Sequence, residues 1–264
     1  MLIGLTYNLK PGNTETVLPE DEDPPDSYVE WDDLTTISAV KQALSVEHDV
    51  VLIEANEDCY PRLKELHPDF VFNIAEGRAG LSRESQIPAM LEFLQIPYSG
   101  SPPLTLALCL DKARCKEVLH YHGLPTPQFR VLKTTTNISE LDLPFPLIIK
   151  PIGEGSSKGI TNDCLITNER DLNNQVAGLL AKYQQPVLVE EFLTGREFTV
   201  GIIGNEPTVT VLPIVEIQLE NLPRGANPIY SYEAKWIWDQ AHQPLTIFQC
   251  PAPLTSQLQL VMEN

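Results

Sequence analysis

The 264-residue chain has little positive charge: 18 lysines and arginines stand against 36 aspartates and glutamates, a formal net charge of −18. So acidic a surface repels phosphate backbones and anionic headgroups, which argues against nucleic acid or a membrane surface as partner. An anionic small ligand stays open, because a pocket depends on local charge. Long apolar runs are missing too; the longest are strand-length, so no membrane span is expected. The opening MLIGLTYNLK has neither a basic lead nor a long apolar stretch. It reads as a first strand rather than an export signal, and the expected location is the cytoplasm. The five cysteines (Cys59, Cys109, Cys115, Cys164, Cys250) are scattered and form no CxxC pair, and the five histidines have no metal-ligand spacing. This argues against a disulfide framework or a zinc site and for reduced, structural thiols. Two nucleotide signatures are also lacking. No GxxxxGK[ST] string occurs, and Gly153, Gly155 and Gly159 give GxGxxxG after a strand and a proline, with no helix signal behind them. A P-loop and a dinucleotide fingerprint are both disfavoured.

What is present is an alternation of strand and helix patterns. Leu2–Thr6, Val50–Glu54 and the run DFVFNI read as strands; Thr35–Val46, a segment around Leu63 and Leu66, and Ile87–Leu94 read as helices. That order predicts a parallel sheet with crossover helices, with ligands at the carboxyl ends of its strands. One long helix is expected over Leu104–Tyr121. A second unit follows, with strands in QFRVL, FPLIIK and PVLVEEF and a helix over Glu169–Tyr183 opened by Asn168. EFTVGIIGNEPTVTVLPIVEIQ reads as two strands joined at Gly204–Asn205, so the last unit is more antiparallel. The expected architecture is α/β in three parts: an N-terminal parallel-sheet unit over 1–103, a small α+β unit over 104–188, and a mainly antiparallel α+β unit over 189–264 that reads as incomplete. The stretch from Glu15 to Asp33 carries nine acidic residues and no lysine or arginine, and reads as a solvated loop.

The candidate chemistry centres on LIIKPIGEGSSKG, Leu147 to Gly159. A buried strand ends in Lys150 and opens into a loop of glycines and serines, the parts needed to cover a polyphosphate: glycine lets backbone approach, Ser156 and Ser157 offer hydroxyls, and lysine supplies charge. A plain hairpin turn with an exposed lysine fits the same string. Lys112 is a second potential phosphate lysine. Glu190, Glu191 and Glu197 end an apolar strand and its turn, where carboxylates accept from an exocyclic amine or ribose hydroxyls, and the backbone at Leu193 offers a further contact. Lys235 sits among aromatics in SYEAKWIWD, a setting that also suits cation–π packing.

Taken together, VFNIAEG, IPYSGS, DKARCKEVLHYHGLPTP, IIKPIGEGSSKG, LVEEFLTGREFTV, YEAKW and CPA, in that order, resemble the ATP-grasp superfamily and within it the D-alanine–D-alanine ligase family. The resemblance runs from about Val71 onward. It implies an ATP-grasp fold and an ATP-dependent ligation of small amino acids through an acyl phosphate, with ATP and Mg²⁺ as cofactors. It also implies Lys112 and Lys150 on the α and β phosphates, Glu154, Ser156 and Ser157 in a lid over them, and Glu190, Glu191, Leu193 and Glu197 on adenine and ribose. Lys235 and Ser156 would act at the γ-phosphate and the acyl phosphate. A homodimer is an expected assembly.

Two departures stand beside the match. The segment NLKPGNTETVLPEDEDPPD replaces the family's serine- and glutamate-containing one, and Glu76-Gly77 replaces its His-Gly. Glu76, Arg78 and Arg83 are therefore the candidate substrate contacts, with salt bridging as the alternative for the arginines. The family's metal-binding motif is not found, which predicts magnesium ligands on a further segment and leaves a catalytically inactive nucleotide-binding module as the rival function.

Overall fold

The computed structural model describes residues 1–12, 26–135, 138, 141–240 and 242–263. Its first layer is a parallel sheet of β1 (Leu2–Tyr7), β2 (Asp49–Glu54) and β3 (Phe70–Asn73), in the order β2-β1-β3. Tyr98 adds a parallel bridge to Val71. Helices α1 (Leu34–Leu44), α2 (Cys59–Leu66) and α3 (Gln86–Leu94) follow the three strands. Asp33 starts α1 by accepting from the Thr36 N–H at 2.8 Å, a side-chain cap for one of the helix's unpaired donors. Ile53, Leu63, Val71 and Leu91 form the core under this sheet.

The expected single helix over Leu104–Tyr121 is two: α4 (Pro103–Leu110) and α5 (Lys112–Tyr121). Asp111 between them is extended, and its carboxylate accepts from the Ala113 and Arg114 N–H groups at 3.0 Å. An aspartate that can cap competes well with continuing a helix. The break places Lys112 in the first turn of α5.

The central sheet is antiparallel, with β4 (Phe129–Leu132), β5 (Leu147–Pro151), β6 (Leu165–Ile166) and β7 (Val187–Glu191) in the order β4-β7-β5-β6. β7 runs past residue 188, so this sheet continues beyond the boundary expected there. Helix α6 (Glu169–Tyr183), capped by Asn168 on the Asp171 N–H, lays Leu172, Val176 and Leu179 against Leu147, Ile149, Val187 and Val189. Further on lie short antiparallel strands: β8 (Glu197–Thr199), β9 (Ile202–Ile203), β10 (Thr210–Val211), β11 (Val215–Ile217) and β12 (Phe248–Gln249). Two strands joined at Gly204–Asn205 are expected over this stretch; the structure has four short ones, β8 to β11, and residues 204–209 join β9 to β10. Gly204 has φ +108°, and a Cβ there would sit 2.2 Å from the Thr208 carbonyl oxygen, so only glycine fits. A π-helical turn spans Glu233–Trp238, and α7 covers Ser256–Glu263.

The solvated-loop reading of the acidic stretch is corrected for its second half; residues 13–25 lie outside the described residues. Asp26 is 4% exposed. The Glu30 side chain is buried against Arg83. Both carboxylates find donors on distant elements, which removes the reason to stay in water. All five cysteines are free. Among the described residues no helix is long and apolar enough to cross a membrane.

Candidate active site

A cavity of about 620 Å³ opens beside the central sheet. Lys150, Ser157, Glu190, Glu191, Leu193 and Glu197 line it, together with apolar Ile148 and Ile160. Six residues singled out in the sequence thus share one space. Lys150 is brought there by register: it pairs with Leu188 on β7, and its side chain crosses to Glu190. Its Nζ lies 2.5 Å from Glu190 Oε1, and Lys116 Nζ lies 2.6 Å from Glu190 Oε2. Burial pushes the Glu190 carboxyl up, but the charge of Lys150 and the hydrogen bonds from both lysines prevail and hold it below the ordinary carboxylate value. Glu190 therefore anchors cations at the cavity floor.

Lys116 was not singled out in the sequence. It is 7% exposed. It donates to Thr126 Oγ1 at 2.7 Å and stands 5.1 Å from the Phe129 ring centroid. The available signal was its position four residues after Lys112, one helical turn along the same face. Lys112 itself donates to the Glu154 carbonyl oxygen. Its pKa is lowered to about 8, by burial first and by the nearby positive charge of Lys150 second, with Glu154 opposing. The two ammonium groups thus feel one another, as expected of a pair that shares an anion.

The glycine loop is tied down rather than shapeless. Ser156 and Ser157 both have left-handed backbones, φ +49° and +61°, a conformation non-glycine residues adopt at a cost. The Ser157 hydroxyl donates to the Tyr230 carbonyl at 2.8 Å, and the Trp236 indole N–H donates to the Ser156 carbonyl at 2.9 Å. The loop is thereby fastened to the segment that carries Lys235.

The remaining candidates fall differently. Glu154 is not in the cavity: its carboxylate lies on the reverse side of the loop, 3.1 Å from Lys158 and 3.3 Å from Arg83, and accepts from Gln185 at 2.7 Å. Lys158, Arg83 and Gln185 hold this carboxylate away from the cavity. Arg83 also stays behind the loop, donating to the Gly153 carbonyl and to Glu30, each at 2.8 Å. Arg78 is exposed and paired with Glu57. The structure brings neither arginine into this cavity; Arg83 is paired with Glu30 and Glu154, and Arg78 with Glu57. Glu191 accepts from the Gln128 N–H at 3.3 Å. Leu193 is 67% exposed at the cavity lip. The Glu197 carboxyl is solvent-facing, yet the surrounding walls raise its pKa, with Lys150 opposing.

Glu76 and Lys235 face a second region, at the carboxyl end of β3. The Glu76 and Gly77 N–H groups both donate to Asn8 Oδ1 at 2.9 Å, which fixes the turn. Burial pushes the Glu76 carboxyl up to about 7, with Glu84 and Glu30 adding to the rise and Arg83 opposing it. Burial lowers the Lys235 pKa while Glu30 and Glu76 oppose. Its Nζ lies 5.2 Å from the Trp236 ring centroid, and Lys10 sits over the same ring at 5.2 Å. The cation–π packing weighed for Lys235 is therefore present.

The cavity's mix of lysine, hydroxyl, carboxylate and apolar wall fits a nucleotide. Magnesium is not matched in the same way: among the described residues no group of three or more His, Cys, Asp or Glu side chains is placed to hold a metal ion.

A parallel sheet, an antiparallel sheet with a glycine loop, and the later antiparallel strands make up an ATP-grasp fold, with the cavity lined by the antiparallel sheet, its loop and the segments that follow. The chain belongs to the D-alanine–D-alanine ligase family: residues 118–263 match the family described as D-ala D-ala ligase C-terminus. It is 37% identical to a D-alanine–D-alanine ligase of Bordetella pertussis over 80% of this chain and 62% of that one. The crystal structure of D-alanine–D-alanine ligase from Bacillus anthracis superposes with a TM-score of 0.60 at 27% identity, covering 82% of this chain and 64% of that one. A structure of the Bacillus anthracis ligase complexed with ATP gives a TM-score of 0.64 at 21% identity over 98% of this chain and 73% of that one. The chain thus spans under two thirds of the Bordetella relative's length.

Proposed function

We propose that this chain binds ATP in the cavity beside β5 and β7 and serves the ATP-dependent joining of a carboxylate to the amine of a small amino acid, through an acyl phosphate. The observation that carries the reading is the floor of the cavity. Lys150, Glu190 and Ser157 line it, Lys116 holds the same Glu190 carboxylate without lining the cavity, and Lys112 is near enough to feel the charge of Lys150. A carboxylate and a triphosphate repel, so a site that joins them must first gather cations. Lys150 and Lys112 are placed to offset phosphate charge. Glu191, Glu197 and the backbone near Leu193 are placed for the base and ribose. Lys235, facing Glu76 across the second region, is placed to meet the reacting carboxylate, and Glu76 to hold a substrate ammonium. The tethered loop keeps water from the acyl phosphate, since a closed cover lowers competing hydrolysis. No step is assigned to magnesium. The family relationship supports the reaction class, and the Bacillus anthracis ligase complexed with ATP supports the nucleotide.

The test has two stages. ATP at one hundred times its Kd stabilises the fold by about 2.7 kcal/mol, a rise in Tm of several degrees that Lys150→Ala removes. A melting curve indifferent to ATP overturns the nucleotide reading. ADP release is then followed with D- and L-amino acids. Release that needs an amino acid is the expected result; ATP binding without release would mean a nucleotide-binding module instead.

A further inference from the structure

The reverse side of the glycine loop carries a set of contacts that the proposed reaction does not use. Glu30 Oε1 accepts from the Gly155 N–H at 2.8 Å, and Asp26 Oδ2 accepts from the Gly159 N–H at 3.1 Å. These two acids lie on one short strap, separated from the loop by more than 120 residues. Each is held in place by a second group. Arg83 ties Glu30 Oε2 at 2.8 Å, and Tyr183 donates its hydroxyl to Asp26 while Lys182 stands 3.3 Å from Oδ1. Both acid side chains are 5% exposed, so these are desolvated, charge-assisted hydrogen bonds, the stronger kind. The loop's sequence is adapted to the contact: a Cβ on Gly155 would fall 2.4 Å from Glu30 Oε1. The loop therefore has two faces. Ser157 looks into the nucleotide cavity, and Glu154 with the Gly155 and Gly159 N–H groups looks away from it.

We propose that Asp26 and Glu30 are positioning residues that grip the glycine loop from behind and fix the face it turns to the cavity. The proposal rests on the nucleotide reading for what the loop covers, but the grip itself exists without a ligand. It explains how two serines keep left-handed backbones in so glycine-rich a stretch: the chain on each side is pinned by a buried acid. It also gives the strap a task. Without these anchors the loop's entropy would be recovered, and each nucleotide bound would have to order it again.

The experiment is amide exchange on the full chain without nucleotide, followed by ATP titration. In Glu30→Ala the Gly155 amide is expected to exchange about tenfold faster or more, and in Asp26→Ala the Gly159 amide likewise, as follows from losing a hydrogen bond to a charged group. The amides of β5 and β7 keep their protection. Glu30→Gln, which retains an acceptor oxygen, restores part of the protection; a role in bulk stability would not show this residue-specific recovery. ATP binding weakens about fivefold or more in the alanine variants. Should Glu30→Ala unfold the chain, Gly155→Ala, which displaces the same carboxylate, is expected to give the same local loss. Unchanged exchange at both glycines overturns the grip. If the wild-type chain does not bind ATP, the nucleotide reading fails while the exchange result still decides the grip.

Discussion

The central sheet and the strands beyond it are built in opposite ways. In the central sheet Leu147, Ile149, Val187, Leu188 and Val189 are all within 1% of full burial, and α6 packs across them. In the strands after residue 200, Ile202 and Ile203 are 64% and 60% exposed and lie in pairings two residues long. The cavity joins the two regions. Its floor, with Lys150 and Glu190, belongs to the deep sheet, and its lip, with Leu193 and Glu197, belongs to the segment leading to the shallow one. A phosphate clamp needs fixed charges, which a rigid wall supplies; a lip over a flat ring needs only contact area. The difference shows why the near-continuous burial of β5 matters: it lets one lysine leave an otherwise dry strand at the point where it meets Glu190.

The strongest way to break this contrast is Glu190→Ala. It leaves two largely buried ammonium groups without their shared anion, and removing one partner of a buried pair costs about 3–5 kcal/mol. For a chain of this size that is a fall in Tm of roughly 10 °C. The pH dependence has a definite sign. The folded-state pKa of Glu190 is depressed, so its contribution is full above the ordinary carboxylate value and is lost as pH falls through the lower folded value. Wild-type and variant melting curves therefore converge in acid. Curves that stay parallel down to low pH would mean that Glu190 stabilises through packing alone.

A milder probe compares the two regions directly. Ile149→Val removes one methylene from a fully buried position and is expected to cost about 0.5–1.5 kcal/mol. Ile202→Val, the same change at an exposed position, stays within about 0.5 kcal/mol. Denaturant unfolding of both variants checks the pair. Equal losses would show that the outer strands are as tightly packed as the inner sheet.

The sequence made the strands, the helix order and the loop legible because those depend on local pattern: apolar alternation, the Asn168 cap, the glycine turn at Gly204. The cavity residues were legible for a different reason, through a motif order that resembles a family. What stayed hidden was pairing across long separations. Nothing local marks Lys116 as the second cation on Glu190, 74 positions away, and nothing in the acidic stretch distinguishes Asp26 and Glu30 from their solvated neighbours. Glu154 and Arg83 were assigned to ligands because each lies in a suggestive string, yet they satisfy one another across 71 positions. The split at Asp111 was missed for a smaller reason: a capping side chain overrode a run of residues compatible with one helix.

The smallest expected effect concerns Lys112. Its pKa is lowered to about 8 by burial first and by Lys150 second. A lysine depressed in the folded state opposes folding while it is charged; that cost is full below about 8 and is relieved as pH rises toward the free-lysine value. A phosphate nearby reverses the local field and restores the proton. ATP binding at pH 8 is therefore expected to take up about half a proton per site, falling toward zero at pH 6.5 where Lys112 is already charged. Calorimetry in buffers of differing ionisation enthalpy reads the number from the slope of binding heat. Lys112→Arg, always charged, is expected to bind ATP with no uptake. An unchanged slope in that variant would assign the proton elsewhere, with Glu76, whose pKa of about 7 also lies in range, as the next group to replace.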